Sequence, residues 1–397
     1  MRIRPRNSGN ERRLNRGNVA GRRLAARPAR YLYAVTQEIL PVVAEAGRDP
    51  APPPSPTLAS RASFAAALLC GVKPPRSDAF YESDLPFRMP VLLVKLAAQD
   101  WLVVVYLAVL LAQCVEGHGP RRAAAIQWVL VDLAVWGCVL MLVRSGMLAQ
   151  RARLATVIYR AGIGFPVLAS FLQLQYILPA VGRPPLDAEL YAFDRHVFGV
   201  EPAQAWDRFV NPATTEWFAF FYYGYFFLIA IHVLPMLGFV KSSRLLAKFS
   251  FGFIWLYCIG QALYTFVPAF GPYSYLAHEL QHPLQGAFWW PLVRSAVDSV
   301  DGGARTDVFP SLHTALPTYL SLFSFLERKR MPFKLTWVPL TLFTSQIIAA
   351  TMFLRWHYLI DIGAGIVLAI SAVLVSRAAL RWDAMRETLG GSAVWIA

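Results

Sequence analysis

Along most of the chain, apolar residues come in long runs separated by short polar breaks. Windows at residues 93–115, 126–143, 162–181, 217–240, 249–270, 335–354 and 357–376 read as membrane-spanning helices. The yardstick is a hydrocarbon core about 30 Å thick, which takes about 20 residues at 1.5 Å rise each. A further window, 312–326, is shorter and carries His313, Thr314, Pro317 and Thr318, so hydropathy alone would pass over it. The pattern predicts an all-α polytopic membrane helix bundle of about eight spans.

Residues 1–90 read differently. Ten arginines fall within the first 30 residues against one acid, Glu11, and Pro50, Pro52, Pro53, Pro54 and Pro56 crowd one stretch. No apolar core follows the first charges, so the start does not read as a signal peptide. The apolar run 62–72 is too short to span and is expected to form a short surface helix. The expected organisation is a basic, Pro-rich, largely disordered leader over 1–90 and accessory transmembrane helices over 91–181. A catalytic membrane core over 182–380 and a tail over 381–397 follow.

Composition supports the membrane reading. Of 397 residues, 56 % are apolar and only 16 % charged, where soluble domains carry roughly 25 % charged. Mean hydropathy is +0.42, which excludes a disordered chain. The net charge of +14 raises the question of nucleic acid, but no nucleic-acid-binding fold accompanies the basic run. It is read first as a topology signal and second as a contact for anionic lipid, worth roughly 1 kcal/mol per charge near the surface. The cysteines, Cys70, Cys114, Cys138 and Cys258, fit no zinc spacing and read as small core hydrophobes.

Loop charge alternates. The leader is +8, and loops 144–160, 241–248 and 327–334 are +4, +3 and +3. Between them, 116–125 is +1, 182–216 is −3 and 271–310 is −2, and the tail 377–397 is +1. Positive charge collects on the cytoplasmic side. Both ends are therefore expected in the cytoplasm, in what the arginine bias suggests is a bacterial cytoplasmic membrane. Loops 182–216 and 271–311, with the turn at 355–357, fall on the extracytoplasmic side.

Ionisable residues inside spans are costly and call for a reason. His313 follows Phe309-Pro310-Ser311-Leu312, and His357 and Asp361 lie in Arg355-Trp356-His357-Tyr358-Leu359-Ile360-Asp361. Four residues apart on a helix, His357 and Asp361 share one face. A carboxylate beside an imidazole fixes its tautomer and supports its charged form, leaving the other nitrogen to attack an electrophile. His313 can supply the proton a leaving oxygen needs. Histidine as nucleophile points to phosphorus and requires neither cofactor nor metal. Ser311, with the amides that open the sixth span, and the cations Arg355 and Arg305 are the expected phosphate donors. Either motif alone is weak, since His-x-x-x-Asp pairs are common on helices by chance. Both at the outer ends of two helices joined by one hairpin are more specific.

Phe309–His313 and Arg355–Asp361, followed by Gly363 and Gly365, resemble the second and third signature motifs of the type 2 phosphatidic-acid phosphatase superfamily. Leu312 in Pro-Ser-Leu-His resembles the inositol phosphorylceramide synthase branch, an inositolphosphotransferase. Pro268–Tyr273 is similar to that branch's first motif, and Leu190–Trp206 to the loop before its core. The resemblance spans roughly residues 180–376. It implies a six-helix catalytic core open to the extracytoplasmic side, with His357 as nucleophile, Asp361 as its partner and His313 as general acid. It also implies that Gly271 and Tyr273 contact the substrate.

The sequence departs from the phosphatase pattern. The Gln261–Pro268 stretch lacks the Lys and Arg-Pro of the first motif, and Thr351 stands where Ser-Arg is usual. Fewer cations favour a phosphate already esterified twice. The expected activity is transfer of a lipid head-group phosphate, such as phosphoinositol, to a lipid alcohol. Hydrolysis of a lipid phosphate monoester or polyprenyl diphosphate is the alternative, and a proton-coupled transporter or a two-His, one-carboxylate metal site are the rivals from other classes. Asp187, Glu189, Asp194, Arg195 and His196 are read as a solvated rim. Tyr222, Tyr223 and Tyr225 are read as an interfacial aromatic belt, and His232 as an interhelical hydrogen-bonder.

Overall fold

A computed structural model describes residues 95–239, 243–300 and 306–395. The leader, Cys70 and Arg305 lie outside the described residues. Those described form an all-α bundle of twelve helices with no strand, and one isolated parallel bridge joins Ala269 to Asp307. Seven helices are long and apolar enough to cross a membrane.

The first three are α1 (Ala98–Glu116), α2 (Arg122–Arg144) and α3 (Ala152–Val181). Next come α4 (Asp187–Val197), the one-turn α5 (Pro202–Ala205) and a 3-10 turn at Asp207–Phe209. Then follow α6 (Pro212–Phe239), α7 (Ser243–Phe266), the one-turn α8 (Pro272–Tyr275) and α9 (Trp289–Val300). The chain closes with α10 (Leu312–Leu326), α11 (Phe333–Phe353) and α12 (Leu359–Thr388).

The short polar window is α10, and it sits at the centre. It packs against α6, α7, α11 and α12, and Leu316, Leu320 and Tyr319 are each at most 1 % exposed. Its 15 residues span about 22 Å, too little to count as a crossing by length. Protein rather than lipid surrounds it, so its threonines and His313 need no apolar cover. Small residues let neighbours close on it: a Cβ at Gly365 of α12 would lie 2.6 Å from the Ser311 carbonyl, and one at Gly260 of α7 would lie 2.6 Å from Leu312.

Several boundaries shift from the expected ones. α3 starts at Ala152 rather than 162, because its first turns project Arg153 and Leu154 outward while burying Ala155 and Tyr159. Loop 271–310 contains α9, whose opening amides at Phe288, Trp289 and Trp290 donate to the Glu216 carboxylate (3.1, 2.8 and 3.2 Å). The segment after α12 returns to the bundle and buries Trp395, whose indole N–H donates to Ser250 Oγ at 3.1 Å. His232 bonds within its own helix, to the Leu228 carbonyl at 2.8 Å. Cys114 and Cys258 are buried and Cys138 is exposed on α2.

Candidate active site

Helix starts need acceptors for their free amides. At α12 these come from two carboxylates. Asp361, in the first turn, accepts from the Tyr358 amide at 2.9 Å. Asp194 of α4 accepts from the amides of Leu359 and Ile360, the latter at 2.9 Å. Asp187 accepts from the amides of Phe270 (2.9 Å) and Gly271 (2.8 Å) and from the Tyr358 hydroxyl (2.9 Å). The Ser311 amide donates to the Asp361 carbonyl at 3.2 Å. Helix α4 thus ties the Phe270 loop to the start of α12, and α12 holds the start of α10. Asp187 and Asp194 were expected on a solvated rim, yet are 3 % and 0 % exposed. They are acceptors for buried amides, a role that period and charge do not reveal.

This frame brings the three expected chemical groups together. His357 Nδ1 faces Asp361 Oδ2 at 3.4 Å. The His313 ring centroid lies 6.4 Å from that of His357. His313 is itself sandwiched, 4.3 Å from Tyr222 in a stacked arrangement and 4.0 Å from Tyr225. Burial pushes His357 down to about 4, against the opposing pull of the Asp307 charge, so the imidazole is neutral at neutral pH. Among the described residues, no three His, Cys, Asp or Glu side chains converge in a metal-holding arrangement.

The two imidazoles border a cavity of about 300 Å³. Tyr222, Tyr225, Phe226 and Ile229 form one wall as a helical stripe of α6. Tyr257 and Tyr264 of α7 form another, and Phe270, Tyr273 and Trp356 complete an aromatic lining with Val293, Arg294 and Val297 of α9. The tyrosines expected as an interfacial belt therefore line the cavity. His313 Nε2 and Trp356 Nε1 are buried without a hydrogen-bond partner, two polar atoms beside a cavity with room for a ligand.

The other expected substrate-binding residues separate. Tyr273 lines the cavity and stacks on Trp356, with centroids 5.0 Å apart. Arg355 does not line it: its guanidinium donates to Asp207 (2.7 Å) and to the His282 carbonyl (2.6 Å), so that cation is already neutralised. Burial alone would raise the Asp207 carboxyl, but hydrogen bonds from His282 and Gln281 and the Arg355 charge outweigh it and hold it low. Ser311 is a buried N-cap whose hydroxyl accepts from the Thr314 amide at 3.2 Å. Gly271 is needed for its backbone: φ is +84°, and a Cβ would lie 2.5 Å from the Trp356 carbonyl. Arg294, unmarked by any motif, is the cation that lines the cavity, 4.9 Å over the Tyr273 ring and 5.9 Å over Trp356.

Residues 188–375 match the PAP2 superfamily. Comparison with curated proteins and with solved structures found no match. The PAP2 match runs from α4 into α12, so it takes in Asp194, both imidazoles and the cavity lining except Leu168 and Phe171 of α3, and leaves out α1–α3. It is a match to the superfamily, whose members are phosphatases and phosphotransferases, and it does not reach down to the inositol phosphorylceramide synthase branch or to any other.

Two outcomes follow from this frame of buried acceptors. Asp194→Ala strands two buried amides and should cost about 1–3 kcal/mol of stability, with a parallel fall in turnover, because the start of α12 sits beside His357. Thermal unfolding and initial rates measure both, and Asp194→Asn should recover part of each. The second outcome concerns Glu201, the N-cap of α5, which is 1 % exposed. Burial pushes its carboxyl from 4.5 up to about 8, the Ala203 amide opposes this, and the nearby Asp194 charge adds to it. The folded state holds this proton more tightly than the unfolded chain does. Its contribution to stability is therefore complete below the ordinary carboxylate value and is lost as pH rises through about 8. The unfolding midpoint should fall across that window, and Glu201→Gln should flatten the slope. An equal slope in Glu201→Gln would assign the pH dependence to another group.

Proposed function

We propose that this chain is a membrane-embedded phosphotransferase that acts on a lipid phosphodiester through a phosphohistidine intermediate on His357. The observation that carries the reading is the pair of imidazoles facing each other beside an aromatic cavity, with ring centroids 6.4 Å apart. The cavity that both rings line, about 300 Å³, has room for a phosphoryl group within reach of each. His313 takes up a proton as the anionic substrate enters. His357 Nε2 then attacks phosphorus in line while the bond from phosphorus to the departing oxygen breaks, and the His313 imidazolium gives that proton to the oxygen. Asp361, beside Nδ1, stabilises the charged imidazole. In the second half, an acceptor hydroxyl passes its proton to His313 and attacks phosphorus, freeing His357.

A lipid alcohol as acceptor makes the enzyme a head-group transferase, and water makes it a lipid phosphatase. Two observations favour transfer from a diester. Arg355 is taken up by Asp207, and Arg294 is the one Arg or Lys among the described residues that line the cavity. One cation suits one phosphate charge. The aromatic walls also limit water, as an acyl-transfer or phosphoryl-transfer site needs. A phosphoinositol lipid is one donor of this class.

Lipid labelled with ³²P in its head group tests the reading. The wild type should acquire acid-labile label on the protein, and His357→Ala should acquire none. Equal labelling of the two would defeat the reading. Labelled product partitioning as a lipid would mark transfer, and free labelled head-group phosphate would mark hydrolysis.

A further inference from the structure

The cavity contains one charged group that the phosphoryl chemistry does not use. Asp307 lines it beside Val308 and His357, and among the described residues it makes no ion pair and accepts no side-chain hydrogen bond. The stretch that carries it is fixed, since the Ala269 amide donates to the Thr306 carbonyl at 3.2 Å and Val308 is buried. It lines the same cavity as Tyr264, His313 and His357, so it lies close to the place where a phosphate would sit. Burial pushes its carboxyl up, opposed by its own amide and by the His357 ring, so its charged form needs a cation beside it in such surroundings. In an anion-binding cavity it also repels the substrate, unless the substrate brings a positive charge of its own.

We propose that the part of the cavity around Asp307 is a subsite for an alkylammonium head group, so that the preferred donor is a zwitterionic phosphodiester. The proposal rests on the phosphodiester reading above. Arg294, held over Tyr273 and Trp356 and sharing its charge with the more exposed Asp298 at 3.3 Å, serves the phosphate, and Asp307 serves the ammonium. The remaining walls suit that ligand, because tyrosine ring faces attract alkylammonium groups. Tyr264, Tyr257 and Tyr225 supply such rings along the cavity. A polyol head would need donors and acceptors set against each hydroxyl, and a phosphate monoester would place its second negative charge beside Asp307.

The test uses the full chain in detergent, with His357→Ala as a background that cannot turn lipid over. Calorimetric titration of this variant with glycerophosphocholine and with glycerophosphoinositol should show at least tenfold tighter binding of the choline compound. Adding Asp307→Asn should shrink that preference at least tenfold, and Asp307→Glu should restore part of it. Equal binding of the two compounds, or a preference unmoved by Asp307→Asn, overturns the proposal. So does faster turnover of phosphatidylinositol than of phosphatidylcholine vesicles by the wild type. Binding of glycerophosphocholine without turnover of phosphatidylcholine would support the subsite and mark a soluble diester as the source. The phosphohistidine reading fails separately, if His357→Ala still turns lipid over, and the titrations do not depend on turnover.

Discussion

His357→Ala should lower turnover of a lipid phosphodiester by about 10⁴-fold or more, since removing a nucleophile removes the covalent route altogether. His313→Ala should cost about 10²–10⁴ with a natural alkoxide leaving group. The two variants separate with a p-nitrophenyl phosphodiester, whose leaving group needs no proton. His313→Ala should regain most of its rate on that substrate, and His357→Ala should not. Wild-type-like turnover by either variant on natural lipid would sink the mechanism. Identical losses on both substrates would remove His313 from the acid role while leaving His357 in place. The geometry behind the split is the sandwich of His313 between Tyr222 and Tyr225. It holds the ring 6.4 Å from that of His357, with Nε2 buried and without a hydrogen-bond partner.

The second large effect lies at the opposite end of the bundle. Arg144 of α2 donates to Asp100 of α1 at 2.8 Å, to the Tyr159 hydroxyl of α3 at 2.8 Å and to the Ala393 carbonyl at 2.8 Å. Asp100 also accepts from the Ala97 amide at 2.8 Å. Both charged side chains are nearly inaccessible, at 3 % and 0 % exposure. Arg144→Met removes one partner and leaves Asp100 buried and uncompensated, which costs about 3–5 kcal/mol. The thermal midpoint should fall accordingly, and residues 389–395, which lose their anchor, should become accessible to protease. Adding Asp100→Asn to Arg144→Met should recover part of the loss, because no lone charge then remains. A single variant as stable as wild type would show that the network is solvated rather than buried. Folded Arg144→Met should still form the labelled intermediate, because the network lies a full helix length from His357.

Much of the architecture was legible in the chain. The apolar windows announced about eight spans, and seven of them form helices long and apolar enough to cross, because lipid leaves the backbone no alternative to helix. The spacing of His357 and Asp361 brought the two side chains together at 3.4 Å, although His357 lies two residues before α12 begins and not on its face. Pro-Ser-Leu-His marked a helix start because Ser311 is a good N-cap. The other positions depended on which surfaces meet. Arg355 looked like a phosphate donor until its fold neighbour Asp207, distant in sequence, was seen to occupy it. Asp187 and Asp194 looked like surface charge because their partners are backbone amides, which no side-chain pattern records.

By itself, then, the sequence determined the helices and their order along the chain, and it marked two imidazoles and a carboxylate for attention. Those features follow from local period and from the cost of burying polar groups in hydrocarbon. Only the tertiary structure decided which cation reaches the cavity and which tyrosines line it. It alone placed Asp307 beside His357, because that contact joins segments fifty residues apart through packing around α10.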